Sequence, residues 1–240
     1  MLLLAIDTST RRVGVAFGGE QGLVAAVEIG GPADLGKPRH AERLAPAIDY
    51  ARRESGVELS HVSAIAVSIG PGMFTGLRVG VTTAKVMAQA LRIPVVPIPS
   101  LDLLAYPLRH ARALVVPAID ARRHELYHAI YRPVPGGLQR ESGYELGTPD
   151  DLAGELEARG EEAILCGDGA LRFRDQFAHL ERVEHAGSGH VSPDLAALVE
   201  LAAGRYEREE FVQPSEVVPM YLRRSDAELT WQRREASAGW

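Results

Sequence analysis

Residues His124 to His128 read HELYH and spell the HExxH pattern of zinc proteases. In that pattern two imidazoles hold a metal and the glutamate handles the proton of a bound water. The chemistry requires a helix, because only there do residues four apart lie ~5–6 Å apart on one side. Here Leu126, Ala129 and Tyr131, following a turn at Asp120 to Arg123, read as one strand of a hairpin. Four strand residues span about 13 Å, too far for two rings to share a metal at ~2 Å each. The match is therefore expected to be accidental. His40 is equally isolated, since Leu44 and not a second histidine stands one helical turn later. No metal site and no cofactor are expected.

Asp7, Thr8, Ser9 and Thr10 close an apolar run, Leu2 to Ile6. Their hydroxyls and turn amides could cradle a phosphate, or could simply make a hydroxyl-rich hairpin turn. Asp120 follows a second apolar run, Leu114 to Ile119. Two carboxylates ending the first buried strands of two lobes could flank a cleft, as in actin-like ATPases and ribonuclease H-like nucleases. A nuclease would need three or four clustered carboxylates for two metals, and no others stand at equivalent places. Gly70 to Gly76, GPGMFTG, joins a strand to a helix, where free amides can hold an anion. It lacks the Lys-Ser/Thr ending of a P-loop, so a sharp turn close to a sheet explains its glycines as well.

The elements that must position these residues alternate between strand and helix. A meander of about three strands opens the chain, and helix one spans His40 to Ser55. A buried strand, Ala64 to Ile69, leads into helix two, Thr75 to Leu91, which stops before Pro94. From Ser100 a similar cycle follows, with strands at Leu114 to Ile119 and Ala163 to Cys166 and a late helix from Pro193 to about Tyr206. This order predicts two α/β lobes, residues 1–99 and 100–227, with a frayed tail at 228–240. The formal charge is −6, so the average field repels a nucleic-acid backbone, and no long basic run offsets it. One cysteine excludes an internal disulfide and suits a reducing cytoplasm. No apolar stretch approaches the ~20 residues of a membrane span.

Helix two carries Gly76, Gly80, Ala84 and Ala88 at every fourth position, a ridge of minimal side chains that admits close approach of another backbone. Leu77 and Val81 border the ridge, and helix one offers Leu44, Ala47, Ile48 and Ala51 on one stripe. A helix apolar nearly all round must be covered on more than one side. Either helix one or a second protein chain supplies that cover, and the expectation is a shared docking face for a partner.

The segments LLLAIDTST, SIGPGMFTGLRVGVTTAK, IPVVPIPSLDLLA, AIDARRHELY and PMYLRRS resemble the TsaB (YeaZ) family over nearly the whole chain. GPGMFTGLRVG is the most specific of these. The resemblance implies two actin-like (ribonuclease H-like) lobes, each a mixed sheet flanked by helices, in a protein with no turnover of its own. It implies a partner role beside TsaD, the catalytic paralogue that transfers threonylcarbamoyl from threonylcarbamoyl-AMP to an adenosine beside the tRNA anticodon. The ATPase TsaE completes that set, a homodimer forms when TsaD is absent, and tRNA is met only through the complex. Where TsaD has two metal-binding histidines, only His40 matches, with Leu44 at the second place. Two residues depart from the family: Met73 stands where Ser is usual and His124 where Gly is usual. Two other readings remain in view, an independent ATP-dependent transferase or kinase of the actin-like fold, and a zinc protease through HExxH. Under the family reading Asp7, Thr8, Ser9 and Asp120 line a vestigial or closed cleft.

Overall fold

The computed structural model describes residues 1–30, 36 and 39–223. Lobe one contains β1 (Leu3–Asp7), β2 (Val13–Gly19), β3 (Gly22–Ile29), α1 (His40–Ser55), β4 (Ala64–Gly70), α2 (Phe74–Leu91) and β5 (Val95–Pro99). Its sheet runs β3-β2-β1-β4-β5, antiparallel among the first three strands and parallel from β1 outward to β4 and β5. After α3 (Ser100–Ala105), lobe two contains β6 (Leu114–Arg122), β7 (Glu125–His128), β8 (Tyr131–Val134), β9 (Gly137–Arg140), β10 (Glu145–Gly147), α4 (Pro149–Arg159), β11 (Ala163–Cys166), α5 (Asp168–Arg172) and β12 (Val183–His185). Its main path is β10-β7-β6-β11-β12. The same third-second-first-fourth-fifth order, with the same strand directions, thus recurs with a β8–β9 hairpin added. The repeat is one of topology, without a residue-level echo in the sequence.

Both faces of the first sheet are covered, which is why β1 and β4 read as continuous apolar runs. Leu4, Ile6, Ile65 and Val67 meet α1 and α2 on one face. On the other, Leu3, Ala5, Ala64 and Ala66 meet Leu195, Leu198 and Val199 of α6 (Leu195–Glu207). The division at residue 99 is corrected here: α6 lies late in the chain yet belongs to lobe one. Its neighbours follow it, because Val212 pairs with Val95 and Lys85 of α2 donates to the carbonyls of Ser215 and Val217. α3 lies between the lobes, with Leu103 facing the first sheet and Leu101 and Leu104 packed with Val115 and Ile119 of the second. Residues 228–240, expected to fray, lie outside the described residues. Among the described residues, no helix is long and apolar enough to cross a membrane.

Candidate functional site

β1 delivers Asp7 to the carboxyl end of the first sheet, where its side chain is buried. Oδ1 accepts from the Ser9 amide at 3.1 Å and the Ser9 hydroxyl at 2.7 Å. Burial drives this carboxyl above the usual carboxylate range, opposed first by Ser9 and then by Ser68 and Arg12. The hydroxyls that could have cradled a phosphate are turned inward. Thr8 donates to the Gly76 carbonyl at 2.8 Å, and both Thr8 and Ser9 are 0% exposed. The Met73 amide donates to the Ser9 carbonyl at 2.7 Å, so the GPGMFTG turn closes over this loop. A Cβ on Gly72 would come 2.2 Å from the Ser9 carbonyl oxygen, which accounts for glycine there. Of the two readings the sequence leaves open here, a phosphate cradle or a hydroxyl-rich turn, the geometry is that of a sealed turn.

Asp120 lies near the carboxyl end of β6 with only 7% of its side chain exposed. Its Oδ2 is paired with Arg122 and Arg172 at 3.0 Å each, and its Oδ1 accepts from the Arg122 amide at 2.9 Å. Asp120 lines a cleft between the lobes, whereas Asp7 is 1% exposed and is not part of that lining. The two carboxylates expected to face one another therefore do not share a cavity. Beside Asp120, burial lifts the Asp168 carboxyl to about 6, with the Asp120 charge adding to the effect.

The HExxH residues have three separate jobs. β7 is a strand, as its spacing predicts, and His124 precedes it in a turn at φ 61° with its ring edge-on to Phe173 at 5.0 Å. Glu125 pairs with Arg223, while His128 is buried and burial lowers its imidazole's basicity. His40 Nε2 donates to the Thr10 carbonyl at 2.7 Å, a link within lobe one. Among the described residues, no three His, Cys, Asp or Glu side chains group as metal ligands.

The ten residues expected to form the docking face are all buried inside lobe one. Leu44, Ala47, Ile48, Ala51, Val81, Ala84 and Ala88 join the core under the sheet, and Leu77 is 0% exposed. Added Cβ atoms on Gly76 and Gly80 would come 2.1 Å from the Thr8 carbonyl oxygen and 2.2 Å from Thr8 Oγ1. The backbone that the ridge admits is therefore that of the β1 loop, not of a partner. The outward side of α2 presents Phe74 and Val86, 41% and 61% exposed, instead.

Sequence reasoning named Asp120 at the interlobe cleft, a space of about 690 Å³, but missed the basic and aromatic residues that line it beside that carboxylate. Arg78 comes from α2, Arg122 and Arg123 from the β6–β7 turn, and Tyr221 and Arg223 from the last described segment. Only two short basic pairs, in ARRH and YLRR, hint at this in the sequence.

Residues 34–231 match the family described as TsaD: tRNA N6-adenosine threonylcarbamoyltransferase. The chain is 32% identical to the tRNA threonylcarbamoyladenosine biosynthesis protein TsaB of Haemophilus influenzae, covering 97% of each chain. It is 30% identical to the Bacillus subtilis protein of the same name, covering 96% of this chain and 98% of that one. Among solved structures, YeaZ from Pseudomonas aeruginosa superposes with a TM-score of 0.77 at 30% identity, over 92% of this chain and 99% of that one. With its two repeated actin-like lobes and this similarity along almost its full length, the chain belongs to the family that the TsaD description covers and, within it, to the TsaB (YeaZ) proteins.

Proposed function

We propose that this chain serves in the formation of threonylcarbamoyladenosine on tRNA as a partner subunit of a TsaD-class transferase. It lends no catalytic group to the transfer. One observation carries the reading: the Asp7 loop, where an actin-like enzyme needs an open phosphate cradle, is closed by the Ser9–Met73 bond with its hydroxyls turned inward. The names of the TsaB relatives supply the pathway.

Its contribution is binding free energy that favours the active conformation of the partner. The outward side of α2, with Phe74 and Val86, offers apolar area for that contact and, when the transferase is absent, for a second copy of this chain. A TsaE-class ATPase joins the assembly, and tRNA meets the chain in the cytoplasm within it. The test is reconstitution from purified proteins with tRNA, threonine, bicarbonate and ATP, reading modified adenosine in the digested tRNA. The expected result is no product from this chain alone, product from the full set, and loss of product when this chain is omitted. Product from the chain alone, or unchanged product on its omission, overturns the reading.

A further inference from the structure

The interlobe cleft departs from the charge of the rest of the protein. The whole chain carries −6, yet among the described residues the cleft is lined by Arg78, Arg122, Arg123 and Arg223 against one carboxylate, Asp120. These arginines come from α2 of lobe one, from the β6–β7 turn of lobe two, and from the segment that follows α6. Two are held in place by their surroundings. Arg78 lies over the Phe74 ring at 3.9 Å and donates through Nε to the Tyr221 hydroxyl at 3.3 Å. Arg223 donates to the Ala121 carbonyl at 2.7 Å and pairs with Glu125. Each guanidinium has five N–H donors, and these bonds use only part of that capacity.

The β6–β7 turn is held in an unusual state. Arg122, Arg123 and His124 have φ of 64°, 55° and 61°, three successive left-handed residues without a glycine. Such strain concentrates at ligand sites, where it fixes side-chain direction. The first turn of α2 lines the same cleft, and it has no acidic residue and no side-chain cap, so its positive end adds to the field. The volume falls within the ~300–1,000 Å³ of small-ligand sites.

We propose that this cleft binds a phosphate group, gripped by arginines of both lobes, supplied by a free nucleotide or by the backbone of an RNA strand. Phosphate suits the geometry better than carboxylate, because its several charged oxygens accept from guanidiniums arriving on different sides. The site lies outside the sealed Asp7 turn and does not depend on the partner-subunit reading, since binding is measured on this chain alone.

The test is calorimetry on the full chain at ~100 mM salt, low enough to keep phosphate contacts measurable. The probes are AMP, inorganic phosphate, adenosine and a five-nucleotide single-stranded RNA. AMP is expected to bind with Kd below ~1 mM, and adenosine at least ~10-fold more weakly. Arg122→Gln and Arg78→Gln should each weaken AMP about tenfold, and Arg78→Gln leaves the Asp120 pairs untouched, with melting followed for both. AMP binding as tightly as the RNA assigns the phosphate to a free nucleotide. RNA binding ~10-fold tighter, and weakening steeply with salt, assigns it to a strand. Absence of binding by all of AMP, phosphate and RNA at ~5 mM, or parental affinity in both folded variants, overturns the proposal.

Discussion

Gly80 lies directly against Thr8: a Cβ added to it would come 2.2 Å from Thr8 Oγ1 and 3.5 Å from Thr8 Cβ. The oxygen alone therefore makes the clash. Gly80→Ala should destabilise the protein by about 1–3 kcal/mol, and Thr8→Ala by about 1 kcal/mol through loss of its bond to the Gly76 carbonyl. The double variant should be more stable than Gly80→Ala alone. Gly76→Ala should not be rescued in this way, because its clash at 2.1 Å is with the Thr8 backbone. Chemical denaturation of the three single variants and of Thr8→Ala combined with each glycine substitution checks the cycle.

Ala84 and Ile48 are 0% and 6% exposed. Ala84→Arg and Ile48→Glu each place an unpaired charge in the core of lobe one, at a cost of several kcal/mol against a total stability of about 5–15 kcal/mol. Both should unfold the lobe, seen as loss of the cooperative melt. Val86→Arg, at a position 61% exposed, should melt like the parent and weaken association with a TsaD-class partner in gel filtration.

Arg92 ends α2 at φ 58°, whereas the corresponding positions of α1 and α4 are Gly56 and Gly160. The left-handed state costs a non-glycine residue about 1–2 kcal/mol, and glycine's greater freedom when unfolded returns part of that. Arg92→Gly should therefore stabilise by up to about 1 kcal/mol, a rise of roughly 2–4 °C in Tm for a chain of this size.

Asp168 titrates near 6 because burial disfavours its charge, and Asp120 beside it adds repulsion. A carboxyl raised above its unfolded value of ~3.9 gives stability that is full below that value and lost as pH rises to about 6. Asp168→Asn keeps an oxygen for the Asp120 amide, which donates to it at 3.0 Å. The variant should match the parent below pH ~4 and exceed it by about 1–3 kcal/mol at pH ~8. His128, pushed down by burial, acts oppositely and lowers stability as pH falls below ~6.5 in both proteins, so it drops out of their difference. Urea unfolding across pH reads the effect.

Much of the scaffold was legible because its signals are local. α1 matches the expected His40 to Ser55, and β11 matches Ala163 to Cys166. The ridge Gly76, Gly80, Ala84, Ala88 was legible as one face, but periodicity does not say what covers that face, and the cover is Thr8 of the same lobe. Chain order places α6 with lobe two and packing places it with lobe one, because its amphipathic pattern does not name the sheet that receives it. Arg78, Arg122 and Arg223 are far apart in sequence, and only the meeting of the lobes makes them neighbours. His124 stands at φ 61°, a left-handed conformation that favours glycine and that side-chain type alone does not announce.

The return of α6 to the first sheet has a consequence for synthesis. Every strand of lobe two lies between Leu114 and His185, so on a chain emerging from the ribosome that sheet can close as soon as β12 appears. Leu3, Ala5 and Ala64 emerge earlier but must wait for Leu195, Leu198 and Val199 before their face of the sheet is covered. A nascent chain halted before Leu195 therefore presents an apolar sheet face to chaperones while its second lobe is already formed. The half that is made first is the half that is finished last.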